Sequence, residues 1–167
     1  MKRVRLSLIL MLLFLGLATS PAGAGVKFTG GPIILEVPDG WTAEYVEDGL
    51  FFQIRLIAPE NRVRLGVIFF PSITGNTKGD AEFMAQNVGM PTTAPEPVPG
   101  RESYRFFSRS ENQPKIEFIV FTRPPALFAW AQKRRTDDFD EDIKAIWNSL
   151  DSSNPHYRAL LDELYKQ

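Results

Sequence analysis

Five carboxylates fall within six residues at Asp137, Asp138, Asp140, Glu141 and Asp142, and carboxylate oxygens are what calcium prefers. The run lacks the loop glycine and the alternate-residue ligand spacing of an EF-hand. Acids at this density also suit the first turn of a helix, where free N–H groups carry positive partial charge, and we prefer that reading. Glu44, Glu47 and Asp48 form a second acidic group. Close carboxylates with displaced pKa values would suit a hydrolase or transferase. The single histidine, His156, would have to serve any Ser-His-Asp arrangement, and no serine in a nucleophile motif accompanies it. "QKRR", residues 132–135, is a basic patch that could touch anionic lipid or a partner. Beside an acidic run, such charges more often solvate a turn.

Motifs with a defined mechanism are missing. There is no H-E-x-x-H, no G-x-S-x-G and no phosphate-binding G-x-x-x-x-G-K-[ST]. The chain has no cysteine, which removes disulfides, thiolate zinc sites, iron–sulfur clusters and cysteine nucleophiles. No catalytic, cofactor-binding or metal-ligating residue is therefore assigned, and the expectation is a protein that is not an enzyme and carries no cofactor.

The N-terminus supplies a location. Lys2, Arg3 and Arg5 precede the mostly apolar run Leu6 to Leu17, which Pro21 and the triplet Ala22-Gly23-Ala24 close. That order marks residues 1–24 as a secretory signal peptide cut after Ala24. A bilayer-spanning helix needs roughly 20 apolar residues, more than this run holds. The expected location is periplasmic or extracellular, with no stable membrane insertion after cleavage. Of 19 basic and 20 acidic side chains, three basic ones leave with the leader, so the remainder carries a formal charge of −4. Nucleic-acid binding wants a strongly basic face and is not expected.

Hydrophobic periodicity places the elements. Ile33–Val37 and Trp41–Val46 read as strands around the Pro38-Asp39-Gly40 turn. Phe52, Ile54 and Leu56 then alternate with Gln53 and Arg55; Val63, Leu65, Val67 and Phe69 alternate with Arg62 and Arg64. "APEN" between them has hairpin length. "DAEFMAQNVG" reads as a short helix with Phe83, Met84 and Val88 inward and Gly89 as terminator. "MPTTAPEPVPG", with four prolines in eleven residues, suits a surface crossover rather than an active-site lid. Strands follow in "RESYRFFSR", "KIEFIVFTR" and "ALFAWAQKR". In the second of these, Ile116, Phe118 and Val120 make one face, and Ile119 and Phe121 make the other. Apolar residues on both sides indicate a sheet covered on both faces.

Phe139, Ile143, Ile146, Trp147 and Leu150 form one helical stripe, with Asp138 and Glu141 spaced as an acidic capping box. Trp147 is expected to be buried. Asn154 and Pro155 then start a last helix with Tyr157, Leu160, Leu161 and Leu164 on one side. The expected organisation is one α+β domain over residues 25–150, with residues 151–167 as an amphipathic helix packing back on it. Its antiparallel sheet is flanked by helices on both faces, an α/β/α sandwich.

Strand, "VPDGW" turn, strand, hairpin, helix, further strands and a closing helix with a tryptophan resembles the PsbP-like superfamily over roughly residues 33–150. With the signal peptide, the resemblance is to the DcrB-like branch of bacterial envelope proteins. The resemblance implies an accessory role in binding or assembly, with an envelope protein or a small ligand as partner. Some members are linked to metals through histidine and carboxylates, but His156 lies outside the matched region.

Overall fold

The computed structural model describes residues 25–109, 114–134 and 139–165. The expected signal peptide, Asp137, Asp138 and Arg135 lie outside them, as does the side chain of Leu164.

The chain opens with β1 (Val26–Gly30) and β2 (Ile33–Val37), an antiparallel pair extended on the other side of β2 by the two-residue β10 (Asp151–Ser152). The PDG turn does not fold β2 back on its successor. Gly40 takes φ +77°, a conformation open to glycine at little steric cost. The chain then leaves the small sheet to begin β3 (Thr42–Asp48), an edge of a seven-stranded antiparallel sheet. Local alternation marks strands but does not name their partners, so periodicity could not reveal this change of sheet. β1 was not anticipated either.

The large sheet continues with β4 (Phe51–Ile57) and β5 (Val63–Pro71), joined through a short 3-10 turn at Pro59–Asn61. Helix α1 (Thr77–Asn87) and the proline-rich crossover lead to the two-residue edge strand β6 (Glu96–Pro97). β7 (Tyr104–Phe107), β8 (Ile116–Arg123) and β9 (Ala126–Arg134) complete a sheet of order β3-β4-β5-β9-β8-β7-β6. β9 thus inserts between β5 and β8, in register Phe69 to Phe128 and Phe121 to Phe128. Helices α2 (Asp140–Ser149) and α3 (Pro155–Tyr165) close the chain.

Both faces of the large sheet are covered, so the fold is the expected α+β sandwich. Val63, Leu65, Val67 and Phe69 of β5, with Phe128 and Trp130 of β9, pack under β2, α2 and α3. Ile146, Leu160 and Leu161 are the helical residues buried there. Phe106, Phe118 and Val120 face the opposite way and meet Ala81, Met84, Ala85 and Val88 of the α1 segment. Each fully buried large side chain contributes roughly 1.5–3 kcal/mol of transfer free energy.

Four local expectations change. α1 starts at Thr77 with Asn76 as cap, its Oδ1 accepting from the Gly79 amide. Phe83 is only half-buried, because Ala81 and Ala85 form the inward stripe with Met84 and bring the helix close. The cap position of α2 is Phe139, with no side-chain cap bond. Trp147 is half-buried rather than buried, and packs edge-on against Trp130 with ring centres 4.5 Å apart. Asn154 does accept the His156 amide at 2.9 Å, as expected of a cap. Among the described residues, no helix is long and apolar enough to cross a membrane.

Candidate functional site

The β3–β4 hairpin turns on Gly49 and Leu50, with Asp48 opposite Phe51. Glycine at the first position of a two-residue loop, here at φ +42°, is what a tight hairpin turn of the II′ kind requires. The turn projects Leu50 outward, 67% exposed. Beside it, the end of β5 and the start of β9 converge with the first turn of α3, and between them lies a cleft of about 380 Å³.

Aromatic rings build its walls. Phe52 and Phe69 lie opposite each other across β4 and β5 and stack at 4.7 Å. Tyr157 of α3 sets its ring edge-on to both, 5.3 Å from each centre. Phe51 and Phe70 stack at 4.9 Å and also line the cleft. Pro71, Pro125 and Ala126 complete the apolar wall, and Glu47 and His156 are its charged or titratable rim groups besides Tyr157. The tyrosine O–H of Tyr45 donates to Glu47 Oε2 at 3.0 Å. Burial first, then the neighbouring Glu47, pushes the Tyr45 hydroxyl above its ordinary value, so it remains a donor.

A buried carboxylate secures the wall behind Pro71. Asp80, in the first turn of α1, is fully buried. It accepts from Ser72 Oγ at 2.6 Å, from the amides of Ile73 and Thr74 at 3.0 and 2.8 Å, from Thr74 Oγ1 at 3.0 Å and from Thr122 Oγ1 at 2.8 Å. Burial acts to raise its pKa, but these hydrogen bonds outweigh it and hold the carboxyl below its usual value. The Ser72 amide donates to Pro125 O at 2.7 Å, which ties the pinned loop to the cleft lining. The sequence reading gave Asp80 no role beyond its place at the head of "DAEFMAQNVG". The available signal was the hydroxyl-rich stretch Ser72 to Thr77 ahead of it.

The expected acidic groups disperse. Glu44 and Glu47 are three residues apart on one strand and so point to opposite faces. Glu44 approaches Arg55 at 3.9 Å on the far face. Asp140 and Glu141 are exposed, while Asp142 accepts the indole N–H of Trp41 at 2.8 Å. Among the described residues, no three His, Asp or Glu side chains group as metal ligands would. Gln132 and Lys133 belong to β9, not to a solvated turn, and Gln132 is buried. Gln53 and Arg55 are also buried, at 0% and 5% exposure. With the Gln53 carboxamide oxygen turned to the guanidinium, it accepts from Nη2 at 3.0 Å and Nε at 3.3 Å. Burial lowers the Arg55 pKa, and Glu44 opposes that shift.

No family model matches the sequence, and no curated relative does. Solved structures give likenesses of fold. The chain is similar to the solution structure of cyanobacterial PsbP (CyanoP) from Synechocystis sp. PCC 6803, at 16% identity over 83% of this chain and 98% of that one, with a TM-score of 0.47. The chain is also similar to a crystal structure from Bacteroides thetaiotaomicron VPI-5482, at 11% identity and a TM-score of 0.44, covering 80% of this chain and 50% of that one. It thus spans half the length of that second protein.

Proposed function

We propose that this chain is an exported, non-catalytic accessory protein of the periplasm or cell envelope, binding a protein partner or small ligand through its aromatic cleft. One observation carries the binding reading: a concavity of about 380 Å³, walled by Phe52, Phe69 and Tyr157. Small-molecule sites are concave, mostly apolar and oriented by few polar groups, in a range of about 300–1,000 Å³. Leu50 adds exposed apolar surface at the cleft's edge, of the kind that favours contact with a partner.

The non-catalytic reading is supported by what the carboxylates already do. Asp80 is saturated by donors, Asp142 serves Trp41, and Glu44 and Glu47 face apart. Export is supported by the basic, apolar and small-residue order of residues 1–24. A formal charge of −4 after removal of that leader gives nucleic acid little to attract it.

Affinity capture from the protein's own envelope fraction tests this reading, with intact mass read on the recovered chain. The expected chain starts at Gly25 and brings down a partner that the Leu50→Glu variant does not. A full-length chain retained in the membrane would contradict export, and equal capture by both forms would contradict the cleft.

A further inference from the structure

The cleft's charge is one-sided, and that bears on what it takes. Among the described residues no lysine or arginine lines it; Glu47 is the lining residue with a carboxylate, and Asp48 follows it on the same hairpin. One Glu47 oxygen is held by the Tyr45 hydroxyl. This bond orients the carboxylate and leaves its second oxygen able to accept from a ligand. The faces of Phe and Tyr rings carry negative quadrupole potential and attract cations within about 6 Å. The same rings give an apolar body somewhere to lie. Ligand carboxylates would meet Glu47 at like charge.

Resting on the reading of the cleft as a binding site, we propose that it selects ligands joining an apolar or aromatic body to a cationic amine, with the amine placed at Glu47. On a partner protein, the matching group is a lysine side chain next to an apolar residue. Phe52 and Tyr157, backed by the buried Phe69, take the apolar part, and Leu50 at the lip extends the apolar contact beyond the cleft.

Three probes of one shape separate body from charge: phenylbutylammonium, phenylbutanol and phenylbutyrate. Binding to the full chain is followed by NMR shifts of the Phe52, Phe69 and Tyr157 rings at mildly alkaline pH. The ammonium is expected to bind about tenfold more tightly than the carboxylate, with the alcohol between them, as suits a partly exposed charge pair. Glu47→Gln keeps an acceptor for Tyr45 and should bring the three probes together, whereas Asp48→Asn should leave their order unchanged. Equal binding of all three to the unaltered chain would overturn the charge selection and leave the cleft reading standing. Loss of the order in Asp48→Asn alone would move the selecting group away from Glu47 and overturn the proposal. Failure of every probe to shift these rings would overturn both readings.

Discussion

The indole N–H of Trp41 donates to Asp142 Oδ2 at 2.8 Å, joining residues 101 positions apart. The Pro-Asp-Gly turn delivers Trp41 to the start of β3, and the first turn of α2 delivers Asp142. The indole also meets the Phe139 ring edge-on at 5.7 Å. It is 5% exposed, so the bond spans the margin between core and solvent and locks the helix over the change of sheet. Trp41→Phe should cost about 1–2 kcal/mol, near the range for hydrogen bonds to charged groups. In a double-mutant cycle with Asp142→Ala, which removes the acceptor, denaturant unfolding should give a coupling of about 1 kcal/mol. Strict additivity would show that the contact contributes nothing of its own.

Asp80 should make the fold acid-sensitive. Its carboxyl is held below the usual value of 3.8. A lowered folded pKa means stability that is full above the unfolded value and lost as pH falls through the folded one. Asp80→Asn should therefore cost about 2–3 kcal/mol at neutral pH, since the amide leaves donors facing a donor. It should also flatten the acid limb of the stability profile. Parallel acid limbs for the two proteins would place the titration elsewhere.

Trp147→Ala should cost about 2–4 kcal/mol, overlapping the low end for a large aromatic in a core. The ring is only half-buried, yet it contacts both Trp130 and Phe128. Ile146, on the same helix, is fully buried, and Ile146→Ala should cost a similar amount. A denaturant midpoint unmoved by either substitution would detach α2 from the core.

Arg55 offers a test of buried charge. Among the described residues its one close carboxylate, Glu44, stands at 3.9 Å and is itself 30% exposed. Coulombic gain at that distance offsets desolvation poorly. Arg55→Met made together with Gln53→Leu, so that no buried carboxamide loses its donor, should then change stability by less than about 1 kcal/mol, whereas Arg55→Ala should cost about 2–3 kcal/mol through lost packing. Equal losses for both in thermal unfolding would mean that the charge itself stabilises the sheet.

Sequence periodicity identified those parts of the fold in which burial repeats along one element. Val63 to Phe69 and the stripe from Phe139 to Leu150 are of this kind, and the order of such elements carried the fold class. Relations between elements were less accessible. Gln53 and Arg55 read as the polar side of β4, but they share a face with Phe51 and Ile68 that is also covered. Asp80 is recognisable only once Ser72, Thr74 and Thr122 have gathered around it. The cleft is less visible still, because its rim joins Glu47 of the first hairpin to His156 at the start of the last helix. Those residue types, taken singly, suggested scattered carboxylates and a lone histidine, not a common cavity.

On the reading proposed above, the aromatic cleft is the surface through which this protein binds. Site-specific photocrosslinking in the native envelope tests it most directly, with the reactive side chain at exposed Leu50 or, as a control, at exposed Lys78 on α1. One discrete adduct is expected from position 50, lost when Tyr157 is also changed to alanine, and none from position 78. Adducts of equal yield from both positions, or a position-50 adduct indifferent to Tyr157→Ala, would contradict it.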